Sequence, residues 1–203
     1  MDDFEAKKAL KNFKFTDNDF IKLDIFVNEL LKFNSRYNLI SKNTEKSIWS
    51  RHILDSAQLL NFFSTKKEAK LVDFGTGAGF PGLIIGLYNK NPEFHVKLYE
   101  KSPVKRDFLN DIVKKLNLNV EIEENVYKSN INADIVVSRA FKKLDEIIKI
   151  SREIINKPHK LVILKGKSAQ DEINKLSLDH NYSYKLKDSI TDADSKIIVF
   201  DVT

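Results

Sequence analysis

The period of the apolar positions changes once along the chain. Over 17–33 they recur at Phe20, Leu23, Phe26, Val27, Leu30 and Leu31, the spacing of one helix face, with Thr16 or Asp17 placed to cap the start. A loop is expected near 38–43, and a second helical stripe then runs through Ile48, Ile53, Leu54, Ala57, Leu60 and Phe63. From Lys70 onward short apolar runs alternate with helical stretches. Strands are predicted in AKLVDF (69–74), HVKLYE (95–100), NVEIEE (119–124), ADIVVS (133–138) and HKLVILK (159–165). Helices are predicted near 82–88, 103–116, 142–155 and 169–176. Such alternation predicts an α/β fold, with a parallel sheet covered on both faces and right-handed crossovers. The last two apolar runs, 182–187 and 196–202, have no helix between them, which predicts a closing pair with an antiparallel last strand. The chain is expected to divide into a helical N-terminal extension, 1–65, and an α/β core, 66–203.

Composition narrows the chemistry. A chain of 203 residues with 42% hydrophobic and 31% charged residues can bury an ordered core. There is no cysteine, which excludes disulfides, thiolate metal sites and a cysteine nucleophile. His52, His95, His159 and His180 are scattered without metal-site spacing, so no metal is expected. The N-terminus is charged, no segment approaches the ~20 apolar residues of a membrane span, and a cytoplasmic protein is expected. A net charge of +5 favours polyanionic partners without requiring them. Arginine is scarce beside lysine, so Arg36, Arg51, Arg106, Arg139 and Arg152 are the more informative cations, because a guanidinium fits phosphates and base edges.

The strongest motif is VDFGTGAGFPG (72–82), a strand running into a glycine turn and then a helix. The dinucleotide fingerprint needs glycine where this chain has Phe80. The pattern Gly75-x-Gly77-x-Gly79 instead resembles the methionine-end site of class I methyltransferases, with Asp73 expected near the cofactor's ammonium. Glu100, 25 residues after Gly75, ends the second strand, where a carboxylate can accept ribose hydroxyls. Lys101, Lys105 and Arg106 follow as candidates for phosphate contact or plain surface charge. Arg139 and Lys165, at the tips of the fourth and fifth strands, face the crevice in which open α/β sheets bind ligands. Either residue could hold substrate; Arg139 could instead hold the cofactor carboxylate. No Asn/Asp-Pro-Pro-aromatic motif for exocyclic amines is present, and covalent attack on cytosine is excluded. A ring nitrogen such as guanine N7 remains open. Between Lys32 and His52, five basic residues face one acid, Glu45, with Tyr37 and Trp49 among them. Arg36, Tyr37, Arg51 and His52 are therefore candidates for RNA contact, although aromatics at helical spacing also suit a core.

The chain as a whole resembles the RsmG (GidB) family of bacterial small-subunit rRNA guanine-N7 methyltransferases. The resemblance rests on YNLIS (37–41), RHILDS (51–56), VDFGTGAGFPG, KRDFL (105–109), VVSRAF (136–141) and LKG (164–166), in that order. It implies a class I Rossmann-like sheet, S-adenosylmethionine as cofactor, and methylation of the guanine at position 527, in the 530 loop of 16S rRNA. The expected partner is the small ribosomal subunit, and the expected state is a monomer. The resemblance also implies cofactor contacts at Gly75, Phe80, Val126, Tyr127 and Arg139. Tyr127 stands where the family commonly has an acid, and Glu100 where it commonly has Asp. Small-molecule methyl transfer and non-catalytic RNA or nucleotide binding are the competing readings.

Overall fold

The computed structural model describes residues 1–128, 130–176 and 182–203. His180 lies outside them. Helix α1 (Asp3–Asn12) and helix α2 (Asp17–Asn34) each begin with a reciprocal capping box, Asp2 with Glu5 and Thr16 with Asp19. Tighter and wider helical turns follow: 3-10 at Lys42–Ser47, π at Trp49–Leu54, the single α turn α3 (Asp55–Ala57) and 3-10 again at Gln58–Phe62. The second helical stripe is therefore present, but not as one regular α-helix.

The remaining elements are β1 (Ala69–Phe74), α4 (Gly82–Tyr88), β2 (Phe94–Tyr99), α5 (Pro103–Leu116), β3 (Val120–Glu123), β4 (Ile135–Arg139), α6 (Leu144–Ile154), β5 (His159–Lys165), α7 (Ala169–Asn174), β6 (Tyr182–Asp188) and β7 (Lys196–Val202). The seven strands lie in the order β3-β2-β1-β4-β5-β7-β6. Strands β1 to β5 run parallel, and β7 is antiparallel to both β5 and β6. The order reverses at β1/β4, the switch point at which α/β sheets bind ligands.

Burial follows the pleat. In β1, Leu71 joins the apolar cluster formed with the N-terminal helices, α4 and α5, while Val72 and Phe74 join the cluster under α6 and α7. Successive side chains point to opposite faces, so Asp73 points toward α4 with Leu71. The first cluster also contains Leu10, Leu23, Phe26, Leu30, Ile53 and Leu54, so residues before position 65 share a core with the sheet.

Candidate active site

A cavity of about 380 Å³ lies over the tips of β1, β2 and β4, within the size range of small-molecule sites. Its floor is the glycine turn. Gly75 and Gly77 have φ of +72° and +60°, and a Cβ on Gly77 would meet nothing within 4 Å. At Gly77 the turn thus presents bare backbone to open space, whereas a Cβ on Gly75 would lie 2.3 Å from the Phe141 ring. Glu100 braces it from β2, accepting the Gly77 N–H at 2.9 Å through one oxygen and the Ser102 N–H at 2.8 Å through the other. A carboxylate has about four acceptor sites, so capacity for a ligand's hydroxyls remains. Val126, Lys101 and Lys105 close the β2–β3 side, and Phe80, His52 and Arg139 the other.

Phe80 is a hub. Its ring lies 5.5 Å from Phe26 of α2, stacks on His52 at 4.9 Å and underlies the Arg139 guanidinium at 5.0 Å. A glycine there could not tie the N-terminal helices to the turn.

Arg139 is held from three sides by the 51–56 motif. Nη1 donates to the Arg51 carbonyl at 2.9 Å and meets Asp55 Oδ2 at 3.4 Å, while Nη2 donates to His52 Nδ1 at 2.8 Å. Since arginine only donates, Nδ1 is the acceptor and Nε2 carries the hydrogen, which it gives to the Thr44 hydroxyl at 2.9 Å. Burial, reinforced by Arg139 and Arg51, pulls the His52 pKa down to about 3, so the imidazole is neutral. Burial also lowers the Arg139 pKa while Asp55 holds it up, and the guanidinium remains a cation. Asp55 is fixed in turn by Thr191, whose hydroxyl donates to Oδ1 at 2.7 Å, and by Gln58 at 2.8 Å.

Asp73 does not line this cavity. Its side chain is fully buried on the α4 face, where Oδ2 accepts the Gly82 N–H at 2.8 Å. Burial pushes its carboxyl up to about 7, a rise only partly offset by Thr76, the Gly82 amide and Arg139. Asp73 Oδ1 and the Thr76 hydroxyl are buried without a well-formed hydrogen bond. Gly79 also lies outside the lining and shapes the turn at φ +105°. Tyr127 is outside it too, half exposed, with the Lys101 ammonium 5.4 Å from its ring centre.

A second cavity, of about 370 Å³, adjoins the first and shares His52, Arg139 and Ala140 with it. Lys165 lines this one rather than the first. The residues present suit S-adenosylmethionine in the first cavity: a glycine cradle with an open Cβ direction, a carboxylate at the β2 tip and an apolar wall at Val126.

The family model described as GidB, rRNA small subunit methyltransferase G, matches residues 19–198. The chain belongs to this family. A family member from Pelagibacter ubique, named Ribosomal RNA small subunit methyltransferase G, is 32% identical over 201 residues, covering 96% of this chain and 94% of the relative. One of the same name from Rickettsia typhi is 38% identical over 178 residues, covering 87% and 91%. Among solved structures, a SAM-dependent methyltransferase from Aquifex aeolicus superposes with a TM-score of 0.61 at 15% identity, covering 79% of this chain and 94% of that one. TYW2 from M. jannaschii in complex with AdoMet gives 0.55 at 17% identity, covering 77% of each chain. The fold is that of class I methyltransferases. Family membership makes the chain an S-adenosylmethionine-dependent rRNA methyltransferase.

The expected RNA residues are dispersed over this family scaffold. Lys101 and Lys105 rim the first cavity, and Arg51, ion-paired with Asp192, borders the second. Arg36 and Tyr37 lie apart from both, in a groove between α2 and α5. Tyr37 packs on Phe33 at 4.8 Å and is half exposed. Arg106 is engaged by the Glu100 and Lys101 carbonyls at 2.9 and 2.7 Å, and so braces its own loop. Trp49 is buried against Phe20 and belongs to the core. Sequence reasoning missed Asp55 and Thr191. Asp55 was visible inside the RHILDS motif, but nothing in the sequence joins it to Thr191. Among the described residues no helix is long and apolar enough to cross a membrane, and no group of three or more His, Cys, Asp or Glu could hold a metal ion.

Proposed function

We propose that this enzyme methylates N7 of a guanine in 16S rRNA of the small ribosomal subunit, the position-527 guanine that the family resemblance implies. The observation that carries this reading is the state of His52. Both of its ring nitrogens are engaged, with Arg139 and with Thr44, and its pKa is far below neutrality. The site's imidazole is thus unsuited to general-base work. Guanine N7 already bears its lone pair and needs no deprotonation, whereas an exocyclic amine or a ribose hydroxyl must lose a proton.

S-adenosylmethionine supplies, when bound, a methyl group on a sulfonium. The glycine turn, Phe80, Glu100 and Val126 would hold it, with Arg139 positioned between donor and substrate cavities. That methyl would pass to N7 with release of S-adenosylhomocysteine, so the protein would need only to align base and donor. The chain's contribution is orientation and field rather than proton transfer. Asp73 acts behind the turn, fixing Gly82. Lys101, Lys105 and Arg51 take RNA phosphates near the site, and Arg36 with the exposed face of Tyr37 takes RNA further out. In this reading residues 1–65 carry much of the RNA surface, the core from 66 carries the donor site, and the protein works as a cytoplasmic monomer.

The test is incubation with radiolabelled S-adenosylmethionine and unmodified small subunits, followed by strand cleavage specific for N7-methylguanine. Label at a single guanine is expected. Label resistant to that cleavage would reject N7, and label in small molecules alone would reject the RNA substrate.

A further inference from the structure

The second cavity contains a pair of groups whose order suits one base edge. Lys165 and Glu172 are ion-paired at 2.8 Å, with side chains 9% and 19% exposed. An ammonium has three donors. Lys165 uses one on the Lys142 carbonyl at 2.5 Å and one on Glu172 Oε2. Glu172 Oε2 also accepts the Leu144 N–H at 2.8 Å, while Oε1 accepts the Ser168 hydroxyl at 2.7 Å. Of about four acceptor sites on the carboxylate, three are filled. Among the described residues, these bonds leave one donor on Lys165 and one acceptor site on Glu172 Oε1, and both residues line the second cavity. Their other bonds fix both groups, so little further ordering is needed. Room is available beside them, since a Cβ on neighbouring Gly166 would meet nothing within 4 Å.

We infer that this cavity receives the target base extruded from the RNA, and that Lys165 and Glu172 select guanine by its O6 and N1–H. The inference rests on the proposed guanine substrate. Enzymes that modify a base take it out of the stack and read its Watson–Crick edge. Guanine presents there an acceptor, O6, next to a donor, N1–H, which matches ammonium beside carboxylate. Adenine presents the reverse, an amino donor next to an N1 acceptor, and would leave both charged groups facing like partners. A base gripped by O6 and N1 keeps N7 clear, on the far flank of O6. The wall shared by the two cavities, at Arg139 and Ala140, is where that flank can meet the donor. Glu172 also offsets the positive charge that N7 methylation places on the ring. The ion pair accounts for O6 and N1–H and leaves the guanine 2-amino group unread.

The test uses the full-length protein and free nucleotides as competitors of methyl transfer to small subunits. With the wild type, inosine monophosphate should inhibit within about threefold of guanosine monophosphate, because it keeps O6 and N1–H. Adenosine monophosphate and 1-methylguanosine monophosphate should each be weaker by about 10- to 100-fold, the range of one two-point base contact. Glu172→Gln keeps the side-chain size and should lower kcat/KM for subunits by a similar factor, leaving the affinity for S-adenosylhomocysteine unchanged. It should also remove the preference for guanosine over 1-methylguanosine monophosphate. Equal inhibition by adenosine and guanosine monophosphates in the wild type would overturn the inference, as would undiminished kcat/KM in a folded Glu172→Gln protein. If that variant does not fold, the wild-type competitor series decides alone. Absence of any label in guanine with the wild type would instead overturn the proposed function.

Discussion

A guanidinium that donates to the Arg51 carbonyl, to His52 and to Asp55 is fixed before any ligand arrives. Arg139→Ala should therefore lower methyl transfer by about 100-fold or more, the scale of losing a positioned charged group at a reacting centre. Asp55→Asn should act in the same direction but more weakly. Label incorporation at saturating subunits checks both, and unchanged turnover in Arg139→Ala would remove that residue from the site. Two buried groups near it tilt the pH dependence of stability in opposite senses. His52, ordinarily at 6.5, is held at about 3, so between those values only the unfolded chain takes up the proton. Its contribution is complete above about pH 6.5 and lost as pH falls toward 3. Asp73, ordinarily at 3.8, is raised to about 7, so between those values only the folded chain holds the proton. Its contribution is complete below about pH 3.8 and lost as pH rises through 7. The two slopes oppose each other between about pH 4 and 6.5. Asp73→Asn should leave the His52 slope uncovered, and its urea midpoint should rise from about pH 4.5 to 6.5 more steeply than that of the wild type. Parallel profiles would show that these groups do not titrate as assigned.

The turn between β1 and α4 was legible because glycine spacing, a preceding apolar run and a following helix all agree. What the spacing did not show is which of its residues face the ligand. Alternation along β1 sends Asp73 to the α4 face, and the close approach of Gly82 explains why it stays there. A Cβ on Gly82 would lie 2.7 Å from Asp73 Cβ and 2.3 Å from a Leu98 methyl. Gly82→Ala should thus cost about 1–3 kcal/mol of stability by overpacking, read in urea unfolding. Gly77→Ala differs. Its Cβ enters open space at a φ of +60°, so the strain is about 1–2 kcal/mol and the larger effect should fall on donor affinity, measured by calorimetry. The helical stripe at 48–63 was legible as helix, but not as alternating π and 3-10 turns, because periodicity does not register the hydrogen-bond step. Nor could it show that the 51–56 and 136–141 motifs form one hydrogen-bonded cluster. That contact joins residues 84 to 88 positions apart, and only the completed sheet brings them together.

Over the described residues many lysines are paired with carboxylates, as at Lys157–Asp134, Lys160–Asp201 and Lys167–Asp194. In the function proposed above, phosphate contact rests on the cations that line the cavities, Lys101, Lys105 and Arg51. The KM for subunits should climb steeply between about 50 and 200 mM salt, each phosphate contributing a logarithmic slope of about 0.7 to 0.9, while the Kd for S-adenosylhomocysteine moves little. A salt-independent KM would place the RNA contacts on uncharged groups. Strand order has a further consequence. Among the described residues β6 pairs only with β7, and β7 is inserted between β5 and β6. Thr191, which steadies Asp55 and through it Arg139, sits in the connection between those two strands. Without that strand pair Asp55 would lose the Thr191 hydroxyl and keep Gln58, while Arg139 would still rest on His52 and the Arg51 carbonyl, so the β6–β7 connection tunes a guanidinium that its neighbours already hold.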